Sequence, residues 1–157
     1  MPNQPQIFRF VLFDGFSNLV LASAMEPLRD VKNRAPKADL TWVITTLNDA
    51  PVRSSSGLLI SPDEVFSPSE KCDTLIFVSG YGVRNHASAK NLSLIRQAAR
   101  QAKRVVGLDA GSWLMAAAGL LENHTATIHW HDFSAFQEAF PKVNVVNQRF
   151  VKSGQMM

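Results

Sequence analysis

One pattern constrains this chain more than any other. A short, continuously apolar run ends at a bend rich in Gly, Asp or Ser, and helical periodicity follows. "IFRFVLFDGF" leads into "SNLVLASAMEPLRDVKNR", "DTLIFVSGYG" into "SAKNLSLIRQAARQA", and "KRVVGL" through Asp109 into "AGSWLMAAAG". A strand that is apolar at successive positions is buried on both faces, so it belongs inside a sheet covered on both sides. Strands alternating with helices make that sheet mainly parallel. Ligands of such sheets collect beyond the carboxyl ends of the strands, where "FDGFS", "SGYG" and "DAGSW" fall.

The pattern predicts strands over residues 7–13, 40–47, 73–80 and 103–108, and helices over 17–34, 88–102 and 110–119. Ser17 is the expected N-cap of the first helix, and Pro27 is expected to kink or break it. Gly57 centres a hairpin or excursion, and Gly119 closes the third helix. Residues 124–130 read as a strand, which would put His129 and His131 on one face. A short helix over 132–140 stops at Pro141, and residues 142–146 and 149–151 read as late strands.

With 157 residues, 46% of them hydrophobic and 18% charged, the chain suits one domain with a real core and excludes disorder. No apolar run approaches the ~20 residues of a membrane helix. "MPNQPQ" lacks the layout of a secretory signal, and the lone Cys72 has no internal disulfide partner. The expected compartment is cytoplasmic. The net charge of +3 is scattered, with no basic stripe interleaved with aromatics, so these residues are not expected to bind DNA directly.

Asp109 sits at the tip of the bend between a strand and a helix. Backbone amides and the helix dipole favour negative charge there, so capping the helix is one sufficient role. The chain has no phosphate loop and no paired-carboxylate spacing, which leaves binding of a cation or amine as the other use of a fixed carboxylate. His124, His129 and His131 lack a helical His-Glu motif and a nearby cysteine, so no metal is expected. His129 reads as a pocket residue or as a satisfied, half-buried histidine. Glu26, in the apolar "ASAMEPL", either faces the pocket beside Asp109 or lies exposed. Trp113, Trp130, Tyr81, Phe13 and Phe16 offer aromatic walls for a cation, though each also reads as core.

"FVLFDGFSNLVLASAMEPLRDVKN", "SSSGLLISPD", "DTLIFVSGYG" and "VVGLDAGSWLMAAAGLLENHTATIHWHDFSAFQEAFP" together resemble the N-terminal domain of a group of AraC-type transcription regulators. That domain belongs to the class I glutamine amidotransferase-like superfamily. The resemblance covers nearly the whole chain and is most specific over residues 107–141. It implies a flavodoxin-like, doubly wound α/β fold. "SNLVLASAMEPLRDVKN" is most similar to regulators that respond to quaternary amines and basic amino acids.

The resemblance also assigns positions. Asp109 falls where the superfamily's enzymes carry a cysteine, His129 at their histidine, Glu26 at their acidic residue, and "SGYG" at the loop that supplies amides. Together with the residues read above, it gives an expected ligand-binding set of Glu26, Gly80, Tyr81, Asp109, Ala110, Trp113, His129 and Trp130, with no catalytic residue, metal or cofactor. It implies a ligand-sensing domain over residues 1–157, truncated before a DNA-binding helix-turn-helix region, working as a homodimer that responds to a small-molecule effector. Two other readings stay open: a hydrolase or hydratase that uses Asp109, and a dimerisation module with a vestigial pocket.

Overall fold

The computed structural model describes residues 5–35 and 37–157; most of "MPNQPQ", read above for a signal, lies outside them. The elements in chain order are β1 (Gln6–Leu12), α1 (Asn18–Arg34), β2 (Leu40–Thr45), β3 (Val52–Arg53), β4 (Leu59–Ile60), β5 (Cys72–Ser79), α2 (Ala89–Ala99), β6 (Ala102–Asp109), α3 (Gly111–Ala117), β7 (Thr125–Ala126), α4 (Phe133–Ala139) and β8 (Asn144–Val145). Short 3-10 turns cover Val83–His86 and Trp130–Asp132.

The central sheet runs β2-β1-β5-β6 with every pairing parallel. The last residues add backbone hydrogen bonds at its edge. Val105 N donates to Gln155 O (2.9 Å), Gly107 N to Met157 O (2.8 Å) and Met157 N to Val105 O (2.9 Å). The resulting order is that of a flavodoxin-like sheet, whose direction of winding reverses between β1 and β5.

Alternation along the strands divides the core. Phe10, Leu12, Ile76, Val78 and Val106 face one side with Leu21 of α1 and Val52. Val11, Leu75, Phe77 and Val105 face the other, against Ile95 of α2, Leu114 and Met115 of α3, and Phe136 of α4. Full burial of a side chain such as Phe77 or Leu114 stabilises by about 1.5–3 kcal/mol. One charge is also buried: Arg9 of β1 bridges Glu64 (3.1 Å) and Glu70 (2.8 Å), which ties the segment before β5 to the sheet.

Ser17 caps α1 as expected, its hydroxyl accepting from Val20 N. The break expected at Pro27 is absent, and α1 continues through it. The carbonyl that loses its donor belongs to Ser23, which is exposed and open to water. The hairpin about Gly57 is β3 and β4.

Two expected strands need correction. Within residues 124–130 only Thr125–Ala126 is strand, paired with β8, and the chain then tightens into the 3-10 turn, so His129 and His131 share no strand face. Residues 149–151 form no strand, and the sheet-edge pairing starts further on.

Candidate functional site

β6 delivers Asp109 to the carboxyl edge of the sheet, and α3 leaves from the next turn. Asp109 adopts φ +59°, in the left-handed region that Asp and Asn tolerate better than most residues. The turn is sharp because α3 lies directly on β5: a β-carbon at Gly111 would stand 2.4 Å from the Phe77 carbonyl oxygen. Ala110 occupies the N-cap position and no side chain caps the helix, so Asp109 does not serve as its cap.

Three loops converge on this turn. Tyr81 N donates to Gly15 O (3.2 Å), which joins the bend after β5 to the bend after β1. A β-carbon on Gly80 would meet Gly15 O at 2.6 Å and Asp109 Oδ2 at 3.5 Å, so only glycine lets the loops close beside the carboxylate. From the other side His129 N donates to Asp109 O (3.3 Å), and His129 Nδ1 accepts from His131 N (3.3 Å).

Two clefts meet at this point. One, of about 630 Å³, is lined by Gly15, Ser17, Ser55, Gly80–Asn85, Asp109 and His129–Asp132. The other, of about 480 Å³, runs along the sheet edge past Val106, Leu108, Ser112, Met115 and Ile128 to the C-terminal segment. Asp109, His129 and Trp130 border both. Burial pushes the Asp109 carboxyl above its ordinary value of 3.8, while the nearby His129 pulls it down and Asp132 adds to the rise. Among the described residues no hydrogen bond or ion pair reaches that carboxylate. A half-buried carboxylate without a partner is a ready acceptor for a cation.

Of the residues expected at the site, Gly80, Tyr81, Asp109, His129 and Trp130 are brought together. Tyr81 and Trp130 stand 79% and 77% exposed, as open walls. Three are not brought in. Glu26 is 61% exposed and paired with Arg29 at 2.7 Å, so its charge is met by its own helix in solvent. Ala110 is buried and its amide donates to Ser79 O (3.0 Å), which leaves that N–H unavailable to a ligand. Trp113 is 7% exposed, its ring set against Phe136 (5.9 Å) and Phe140 (5.2 Å) beneath α3. Phe13 and Phe16 are core.

Sequence reasoning missed Arg84. It lines the larger cleft, and its guanidinium stacks on the Trp113 ring at 4.4 Å. Its position just past "SGYG" was visible; the ring beneath it was not. Among the described residues no three His, Cys, Asp or Glu side chains are grouped to hold a metal.

The chain belongs to the DJ-1/PfpI family, whose model matches residues 8–157. It is 33% identical over 157 residues to the HTH-type transcriptional regulator GbdR of Pseudomonas aeruginosa, an alignment that covers 96% of this chain and 43% of GbdR. It is also 35% identical over 150 residues to the isonitrile hydratase of Pseudomonas putida, covering 94% of this chain and 61% of that enzyme. The crystal structure of an AraC family transcriptional regulator from Pseudomonas putida superposes with a TM-score of 0.82 at 23% identity, covering 97% of this chain and 82% of that one. The flavodoxin-like sheet is thus borne out, and so is the resemblance to transcription regulators, here of the HTH type. The chain spans less than half the length of GbdR.

Proposed function

We propose that this chain is the effector-sensing domain of an AraC-type transcription regulator, and that it binds a small amine or amino-acid-like metabolite in the cleft at Asp109. The observation that carries this reading is the Asp109 carboxylate, held at a fixed turn, half-buried, and without a hydrogen-bond or ion-pair partner among the described residues. A bound ammonium or quaternary amine supplies the missing charge, and the exposed rings of Tyr81 and Trp130 offer it aromatic faces. Similarity to GbdR supports a regulatory setting, in which DNA contact belongs to a part of the protein beyond these residues.

Turnover is not part of this reading. On the resemblance set out above, Asp109 replaces the cysteine of the superfamily's enzymes. Cys72 lies at the start of β5, at the opposite end of that strand from Ser79, which is paired with Asp109. His129 therefore has no thiol to activate.

The test is a thermal-shift screen of the chain against quaternary amines, polyamines and amino acids. A specific ligand at ~100 times its dissociation constant adds ~2.7 kcal/mol to stability. Stabilisation by cationic compounds that disappears in Asp109→Asn supports the reading. Stabilisation by anionic compounds alone contradicts it.

A further inference from the structure

We infer that Arg84 is the carboxylate-recognising residue of the cleft, so that the site selects ligands carrying a cation and a carboxylate on one small skeleton. The inference rests on the function proposed above, and it assigns a second, oppositely charged pole to the same site.

Arg84 and Asp109 line one cleft of about 630 Å³, a space suited to a single small metabolite. Arg84 forms no ion pair among the described residues, although Asp132 borders the same cleft. It is nevertheless held in place. Its guanidinium lies 4.4 Å from the Trp113 ring centroid, and Trp113 is itself fixed against Phe136 and Phe140. The backbone beneath it is fixed as well: Asn85 N donates to Gly82 O (2.9 Å) and Ala87 N to Arg84 O (3.2 Å), closing the 3-10 turn.

A guanidinium stacked on a ring keeps its N–H groups directed outward along its edge, where a carboxylate can take two of them at once. The two poles divide the work. Asp109 takes the cation, and Arg84 takes the carboxylate. Each alone would accept many amines or many acids; together they reject molecules that lack either charge.

The test is calorimetry on the 157-residue chain with matched pairs that differ in the carboxylate: trimethylglycine and choline, L-lysine and cadaverine, L-arginine and agmatine. At least one zwitterion is expected to bind about tenfold or more tightly than its carboxylate-free partner, the factor expected of a charge-assisted hydrogen bond. Arg84→Gln should remove that preference while leaving binding of the partner amine within about twofold, and Arg84→Lys should keep part of it. Melting of each variant without ligand shows whether it is folded, and Arg84→Met, which keeps the length of the side chain and removes its charge, carries the test should Arg84→Gln not fold. A preference that survives removal of the Arg84 charge, or amines that bind as well as their zwitterions, would overturn the role of Arg84 while leaving the amine site intact. Failure of all six compounds to bind the unaltered chain would overturn the proposed function together with this inference.

Discussion

His129 and Asp109 are joined through their backbones, the amide of one donating to the carbonyl of the other at 3.3 Å. The end of β6 and the segment that follows β7 are thereby held together, and both residues border both clefts. The site is built on strand ends and a hydrogen-bonded loop, which fixes its charge in space before any ligand arrives.

Replacing Asp109 separates its charge from its backbone geometry. Burial holds this carboxyl above 3.8, so the folded chain binds the proton more tightly than the unfolded chain does. The ionised form therefore opposes folding at neutral pH, and that opposition fades as pH falls through the raised value towards 3.8. Asp109→Asn keeps a residue that tolerates positive φ, and is expected to melt at or above the unaltered chain at pH 7, with the gap closing near pH 4. Asp109→Ala meets left-handed strain of about 1–2 kcal/mol and should melt several degrees below the Asn variant. Thermal melts across that range check both expectations; an Asn variant that is less stable at pH 7 contradicts them.

Gly111 is required by contact rather than by conformation. Its β-carbon would press on the Phe77 carbonyl at 2.4 Å, between two backbones that cannot yield as a side chain can. Gly111→Ala is expected to lower stability by about 1–3 kcal/mol, the usual range for overpacking. Denaturant midpoints measure it. An unchanged midpoint would mean that α3 can lift off β5 freely.

Cys72 is expected to be inert. It is buried, and that burial pushes its thiol up, away from the reactive thiolate; the nearby Arg9 opposes the rise, and Asp73 and Glu70 add to it. Mass spectrometry after iodoacetamide treatment at pH 7.5 should find the folded chain unmodified and the denatured chain fully alkylated. Rapid native labelling would contradict the packing around β5.

The pure chain is expected to leave isonitriles, amides and esters unchanged, despite its 35% identity to an isonitrile hydratase. The turn presents a carboxylate, and the Ala110 amide that would follow a nucleophile is already bonded to Ser79 O. Product formation that is abolished in Asp109→Ala would show that the carboxylate performs chemistry.

The sheet was legible because its strands are apolar at successive positions. Residues 73–80 and 103–108 have almost no other use, and β5 and β6 fall there. The turn at Asp109 followed from the same boundary. Legibility failed where short contacts override local pattern: "HTATIHW" alternates like a strand, yet after Ala126 it is drawn towards the β6 terminus and tightens into a turn. Glu26 and Trp113 each kept two readings, at the pocket or away from it, because helical periodicity gives a face but not its neighbour. Glu26 points to solvent, and Trp113 points into the layer of α4. Arg84 was missed because its platform, Trp113, lies 29 residues further along the chain.

The most direct test of the amine site is titration calorimetry of the chain and of Asp109→Asn with whichever cationic compound raises the melting temperature most. The account predicts binding by the unaltered chain and a loss of about tenfold or more, roughly 1.4 kcal/mol, in the variant. An unchanged dissociation constant in Asp109→Asn, or a site that takes carboxylates without a cation, would contradict it.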